Sequence, residues 1–201
     1  MMYRIRMGSC PEPIPVLLVG DAYYGTLTTV RALRVAGYAP WLALHEPMAY
    51  AARSRATAGI VSVPDPGLDG EGFVRELASA AARFSVATVL PATETHLLTL
   101  AGREANLAGI ALGAPSRENV ERATDKELLT ELAAAAGLQA PPTARVMRSD
   151  GEMVGPFGIS AVVKPLRTRI QRLDGKVPAY SVRYVVSTEQ AEEALAVHPD
   201  E

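Results

Sequence analysis

The chain has 201 residues, 48% of them hydrophobic and 21% charged, with a formal net charge of −2. This is ordinary globular composition, long enough for one large or two small domains, and it lacks the basic field that nucleic acid or an anionic membrane would call for. No apolar run approaches the ~18 residues of a membrane span, and the opening MMYRIRMGSCPEP lacks the apolar stretch of a secretory signal, which together favour the cytoplasm.

Residues 1–12 read as a leader, either disordered or an extra strand. Ile14 to Val19 (IPVLLV) is a near-continuous apolar run, as expected of a parallel strand buried on both faces. A helix follows to about Ala36, closed by Gly37, burying Leu27, Val30, Leu33 and the stem of Arg34. Pro40–Leu44 reads as the second strand, 48–55 as a short helix, and Ile60–Val63 as the third strand. A helix over 72–84 with Phe73, Leu77 and Ala81 on one face precedes a strand at Thr88–Leu90. Residues 94–106 read as a helix carrying Leu97, Leu98 and Leu100, and Ile110–Leu112 as a fifth strand. Strands alternating with helices imply βαβ units and a parallel sheet with helices on both sides. The fold class is therefore α/β, with a Rossmann-like domain over residues 13–115 and a break in composition at Ala114-Pro115-Ser116.

Residues 116–201 form the second unit, of α+β type. Two helices are expected at 116–122 and 125–136, then strands at ARVM, VVKP and SVRYVV with a turn at Asp174-Gly175. A last helix is expected at 188–197, with Ser187 and Gln190 as a capping box.

The stretch TDKELLTELAAAAGLQAPP carries both ends of a helix. Thr124 and Glu127 are spaced as a capping box. Leu128, Leu129 and Leu132 with Ala133, Ala135 and Ala136 give an apolar face. Gly137 supplies a left-handed cap, Leu138 the apolar contact beyond it, and Pro141 and Pro142 a stop. Lys126 is out of place: a cation in the first turn opposes the helix dipole, at about 0.3–1 kcal/mol if exposed. It fits better where an anion also binds that helix end; the alternative is a solvated lysine between Asp125 and Glu127. A second lysine, Lys164, ends the apolar strand ISAVVKP.

The first strand–helix turn reads Gly20-x-Ala22-x-x-Gly25, a dinucleotide fingerprint with its middle glycine replaced. Glu46 lies 21 residues past Gly25, where a ribose-binding carboxylate would stand. A nicotinamide or nucleotide-sugar reading thus stays open, as does one in which the glycines only turn the chain. The fourth strand ends in LPATET: Thr93 is placed to cap the next helix or meet a substrate, and Glu94 to bind an amine or complement the dipole. Between Lys164 and Arg183 stand six basic residues, the others being Arg167, Arg169, Arg172 and Lys176, against the single acid Asp174. Such a run is a solvated face or an anion-binding hairpin. Tyr180 and Tyr184 within it are explained by strand alternation without any nucleic-acid base.

Cys10 is the single cysteine, so no internal disulfide forms. His45, His96 and His198 lie too far apart for a zinc set and read as ordinary polar or helix-face residues.

The pair TDK…VVKP, behind a Rossmann-like domain, resembles the start of the ATP-grasp fold. The resemblance implies that Lys126 and Lys164 meet ATP phosphates, and that the turn at Gly20 and Gly25 with Thr93 and Glu94 contributes to binding a small carboxylate or amine substrate. It implies a carboxylate–amine ligase acting through an acyl phosphate, using ATP and Mg²⁺, with the metal ligands and adenine hinge downstream of Glu201. The chain would then correspond to the N-terminal portion of such an enzyme, with no complete catalytic set, and by itself would hold phosphate without turning over ATP. Only Gly175 stands where the family has a glycine-rich phosphate loop, so a lid role for 164–183 stays open. Small-molecule substrates are the expected partners, with neither nucleic acid nor membrane; a homodimer stays open. The rival classes are a Rossmann-type nucleotide-binding protein and a non-catalytic module pairing through a sheet edge.

Overall fold

The structure is a computed structural model that describes residues 12–20, 24–46, 49–143, 145, 160–166 and 182–196. Five parallel strands form the main sheet: β1 (Ile14–Val19), β2 (Tyr38–Leu44), β3 (Gly59–Ser62), β4 (Thr88–Pro91) and β5 (Ala111–Leu112). Their order is β3-β2-β1-β4-β5. The chain therefore moves outward from β1 to β3, crosses back, and continues from β4 on the other side. Register places Val19 opposite Ala43 on one side and Pro91 on the other.

The two faces of β1 explain its unbroken apolar run. Leu17 and Val19 pack with Phe73, Leu77 and Ala81 of α2 (Gly70–Arg83) and with Leu100 of α3 (Glu94–Leu100). Leu18 turns the other way, toward Leu42, Leu44 and Val30 of α1 (Tyr24–Val35). A strand covered on both sides has no face to leave polar. Complete burial of such a leucine or phenylalanine side chain is worth about 1.5–3 kcal/mol, so this strand and α2 anchor the layer. α2 begins at Asp69, whose Oδ1 accepts the Gly72 N–H at 2.8 Å. The Trp41 ring stacks on Phe84 with centroids 3.8 Å apart. It also lies across Gly59, where a Cβ would come within 2.3 Å of it.

Several elements differ from the sequence reading. β2 starts two residues earlier, at Tyr38. The short helix near 50 is one 3-10 turn, Tyr50–Arg53. Arg34 is exposed, and Thr26, not singled out, is fully buried. The helix expected over 94–106 stops at Leu100; Gly102, at φ +80°, breaks it, and a separate 3-10 turn follows at Glu104–Leu107.

The second unit contains α4 (Arg117–Thr124), α5 (Lys126–Ala135), β6 (Ala161–Val163), β7 (Arg183–Val185) and α6 (Thr188–Ala196). β6 and β7 pair antiparallel, with Val162 opposite Tyr184. Their inner face, Ala161, Val163 and Val185, packs on Ala191 and Ala194 of α6. Ser187 Oγ accepts the Gln190 N–H at 3.3 Å, while Gln190 Oε1 accepts from Val186, one residue earlier than a capping box requires. The Ser187 hydroxyl also holds the exposed Glu189 carboxyl below its ordinary range.

The capping box at Thr124 is not formed. α4 runs through Thr124, whose hydroxyl donates to Glu121 O at 3.1 Å. Asp125 is the cap instead, its Oδ1 accepting both the Glu127 and Leu128 N–H groups at 3.1 Å. The far end of α5 behaves as expected: Leu138 N–H reaches Ala133 O, Gly137 N–H reaches Ala134 O, and Gly137 has φ +75°. That is a Schellman closure, which needs a residue tolerant of the left-handed region. The apolar face is only partly covered: Leu128 and Ala133 are half-buried, Leu129 and Leu132 are exposed, and Leu138 is 65% exposed. Residues 1–11 of the expected leader, the ARVM strand apart from Arg145, the Asp174-Gly175 turn and Arg167 to Tyr180 of the basic run lie outside the described residues, as do Asp21, Ala22 and Tyr23.

Candidate functional site

Two places in this fold gather the candidate residues. The first is the carboxyl edge of the sheet between β1 and β4, where the strand order reverses. In open α/β sheets, ligands bind in the crevice at such a point. Gly20 leaves β1 there, its N–H donating to Ala43 O at 3.3 Å, and Ala92 N–H donates to Val19 O at 2.8 Å. Gly20 is thus beside the segment that leads into Thr93 and Glu94, and Gly25 lies in the first turn of α1. Gly20 has no room for a side chain: a Cβ would fall 2.5 Å from Thr26 Cγ2 and 2.6 Å from Thr26 Oγ1.

Thr93 occupies the N-cap position of α3, yet its hydroxyl does not cap the helix. It bonds His96 Nδ1 at 2.7 Å instead. His96 lies on the buried face of α3, 1% exposed, its ring 5.8 Å from that of Phe73. The i, i+3 spacing of Thr93 and His96 was the available signal for this pair. Glu94 is half-buried in the first turn of α3 and makes no hydrogen bond or ion pair among the described residues. Glu46 sits past the end of β2, its side chain 59% exposed and 3.8 Å from His45 Nε2. Tyr24 and Tyr50 stack at 5.4 Å on the same rim.

The second place is the junction of α5 with the end of β6. The Lys126 backbone N–H donates to Leu166 O at 3.2 Å, and Lys126 Nζ donates to the same oxygen at 3.1 Å. One carbonyl with two lone pairs thereby fixes both the helix start and its cation. Lys126 is half-buried, and the oxygen it binds belongs to the residue two positions beyond Lys164. Lys164 is exposed directly after the end of β6. Glu127 pairs with Arg145 at 3.6 Å. Leu166, forty residues downstream of Lys126, carried no sequence signal for this contact.

Among the described residues, no group of three or more His, Cys, Asp or Glu side chains is placed to hold a metal ion, and no helix is long and apolar enough to cross a membrane.

This architecture is the fold of the N-terminal portion of ATP-grasp enzymes. An L-amino acid ligase from Bacillus licheniformis superposes with a TM-score of 0.65 at 15% identity, covering 93% of this chain and 42% of its own. An N5-carboxyaminoimidazole ribonucleotide synthetase from Thermus thermophilus gives 0.58 at 21% identity, with 90% and 43% covered. The corresponding Staphylococcus aureus synthetase, solved in complex with ADP, gives 0.55 at 9% identity, with 92% and 43% covered. The chain thus spans less than half the length of these enzymes. No protein-family model and no curated protein matches the sequence.

Proposed function

We propose that this chain forms the N-terminal part of an ATP-dependent carboxylate–amine ligase. ATP phosphates lie against Lys126 and Lys164, and a small carboxylate or amine substrate lies at the β1–β4 crevice beside Gly20, Gly25, Thr93 and Glu94. The observation that supports the reading is the pair of hydrogen bonds from Lys126 to Leu166 O, which ties the start of α5 to the segment two residues beyond Lys164.

In the reaction class, a carboxylate oxygen attacks the γ-phosphorus and ADP leaves, giving an acyl phosphate. The amine nitrogen then attacks the acyl carbon, phosphate leaves, and the amine loses a proton as the amide forms. Lys126 and Lys164 would offset negative charge as the phosphoryl group moves, by position and electrostatics rather than covalent chemistry. Glu94 would face the cationic or nucleophilic amine. The ligase class also calls on Mg²⁺ to neutralise phosphate charge, but the described residues do not fit a metal site, so the proposal assigns them no metal ligand.

Calorimetric titration with ATP tests the reading. ATP should bind, and Lys164→Ala should weaken it about five- to tenfold, the effect of roughly 1–1.4 kcal/mol expected for one exposed phosphate contact. ATP binding indifferent to Lys164→Ala, or NAD(P) binding lost in Glu46→Gln, would replace this reading with the rival nucleotide-binding one.

A further inference from the structure

Buried polar atoms without a hydrogen-bond partner are rare in folded proteins, and each calls for a reason. Thr26 is 0% exposed, and its Oγ1 has no hydrogen-bond partner among the described residues. Its neighbours in α1 behave differently: Thr28 and Thr29 return their hydroxyls to Tyr24 O and Gly25 O at 3.2 and 2.9 Å. A valine would fill the same volume as Thr26 without burying an unpaired hydroxyl.

The position of that hydroxyl is specific. It lies in the first turn of α1, against Gly20 where β1 ends, at the switch point of the sheet. α1 is 12 residues long and has no acidic residue among those of its first turn. The backbone N–H groups of a first helical turn have no partner within the helix, and the helix dipole makes that end attractive to negative charge. The Thr26 hydroxyl is buried at that same helix end, beside a residue that can carry no side chain.

We propose that the start of α1 binds an oxyanion, the carboxylate or phosphate group of a small molecule, with Thr26 Oγ1 donating to it alongside the first-turn N–H groups of Gly25 and Thr26. The inference rests on the reading of the β1–β4 crevice as the substrate site. It gives a role to Thr26, which neither its sequence position nor the two lysines explains.

The test is a titration of the ¹⁵N-labelled full chain with sodium acetate, inorganic phosphate and, separately, ATP, followed by amide chemical shifts at constant ionic strength. Acetate or phosphate should shift the Gly25 and Thr26 amides saturably, and the tighter of the two names the group. Thr26→Val, which keeps the shape, should weaken that binding about fivefold or more, as expected for loss of a hydrogen bond to a charged group, while Thr26→Ser should retain it. No saturable shift with either anion, or equal affinity in Thr26→Val, would overturn the proposal. The ATP titration is read at Lys126 and Leu166, so failure of the ligase reading shows separately from failure at α1.

Discussion

Replacing Gly20 by alanine asks directly whether the end of β1 packs on the start of α1. The added Cβ would stand 2.5 Å from Thr26 Cγ2, 2.6 Å from its Oγ1 and 3.1 Å from its Cβ. Rotation about χ1 cannot relieve this, because Thr26 is β-branched, its own Cβ is among the close atoms, and it is fully buried. The helix start must shift by roughly an ångström instead, and overpacking of this kind costs about 1–3 kcal/mol. Thr26→Ala removes both of the shortest contacts. Alone it should be nearly neutral, since the loss of one buried methyl, about 0.8 kcal/mol, is offset by removing an unpaired hydroxyl. The double variant Gly20→Ala/Thr26→Ala should therefore be more stable than the sum of the singles by about 1–2 kcal/mol. Urea denaturation followed by far-ultraviolet circular dichroism, with unchanged m-values, measures the cycle. Effects that add to within about 0.5 kcal/mol would refute the contact, and with it the geometry behind the oxyanion site.

Three further outcomes follow from contacts already described. Asp125→Ala should cost about 1 kcal/mol through loss of the α5 cap, whereas Thr124→Ala should stay within about 0.5 kcal/mol; thermal melts of the pair decide which residue starts the helix. Asp69→Ala should likewise lower stability by about 1 kcal/mol, read by urea denaturation, because Gly72 N–H loses its acceptor. Thr93→Val should leave buried His96 Nδ1 without the Thr93 hydroxyl, costing about 1–3 kcal/mol and moving the His96 ring resonances; unchanged resonances would mean the Thr93–His96 bond does not form in solution.

What could be read in the sequence was what local pattern decides. IPVLLV announced a strand covered on both sides because no residue in it could face water, and Phe73, Leu77 and Ala81 marked the inner face of α2 by spacing alone. Gly137 was legible as a helix stop because few other residues tolerate its backbone conformation. The start of α5 was not, since Thr124 and Asp125 are both good caps and the choice depended on how far α4 extended. The burial of His96 was hidden for a related reason. A helix pattern shows which residues share a side, but Phe73, on another helix, decides which side is inside. As for the candidate site, Gly20, Thr93 and Glu94 were legible as ends of strands, and topology brought them together. The bond that restrains Lys126 comes from Leu166, and no local pattern encodes a partner forty residues away.

Trp41 is the sole tryptophan of the chain and lies stacked on Phe84 over Gly59, within the parallel sheet. Excited selectively, it is a single-site optical reporter of β2 and its neighbours, and β6, β7 and α6 contribute nothing to its emission. Far-ultraviolet ellipticity, by contrast, sums over every helix and strand. A denaturation curve recorded both ways therefore becomes a test of cooperativity. Coincident curves mean that the two sheets melt as one unit. Separated curves locate an independently melting C-terminal segment and turn the break near residue 115 into a measured boundary.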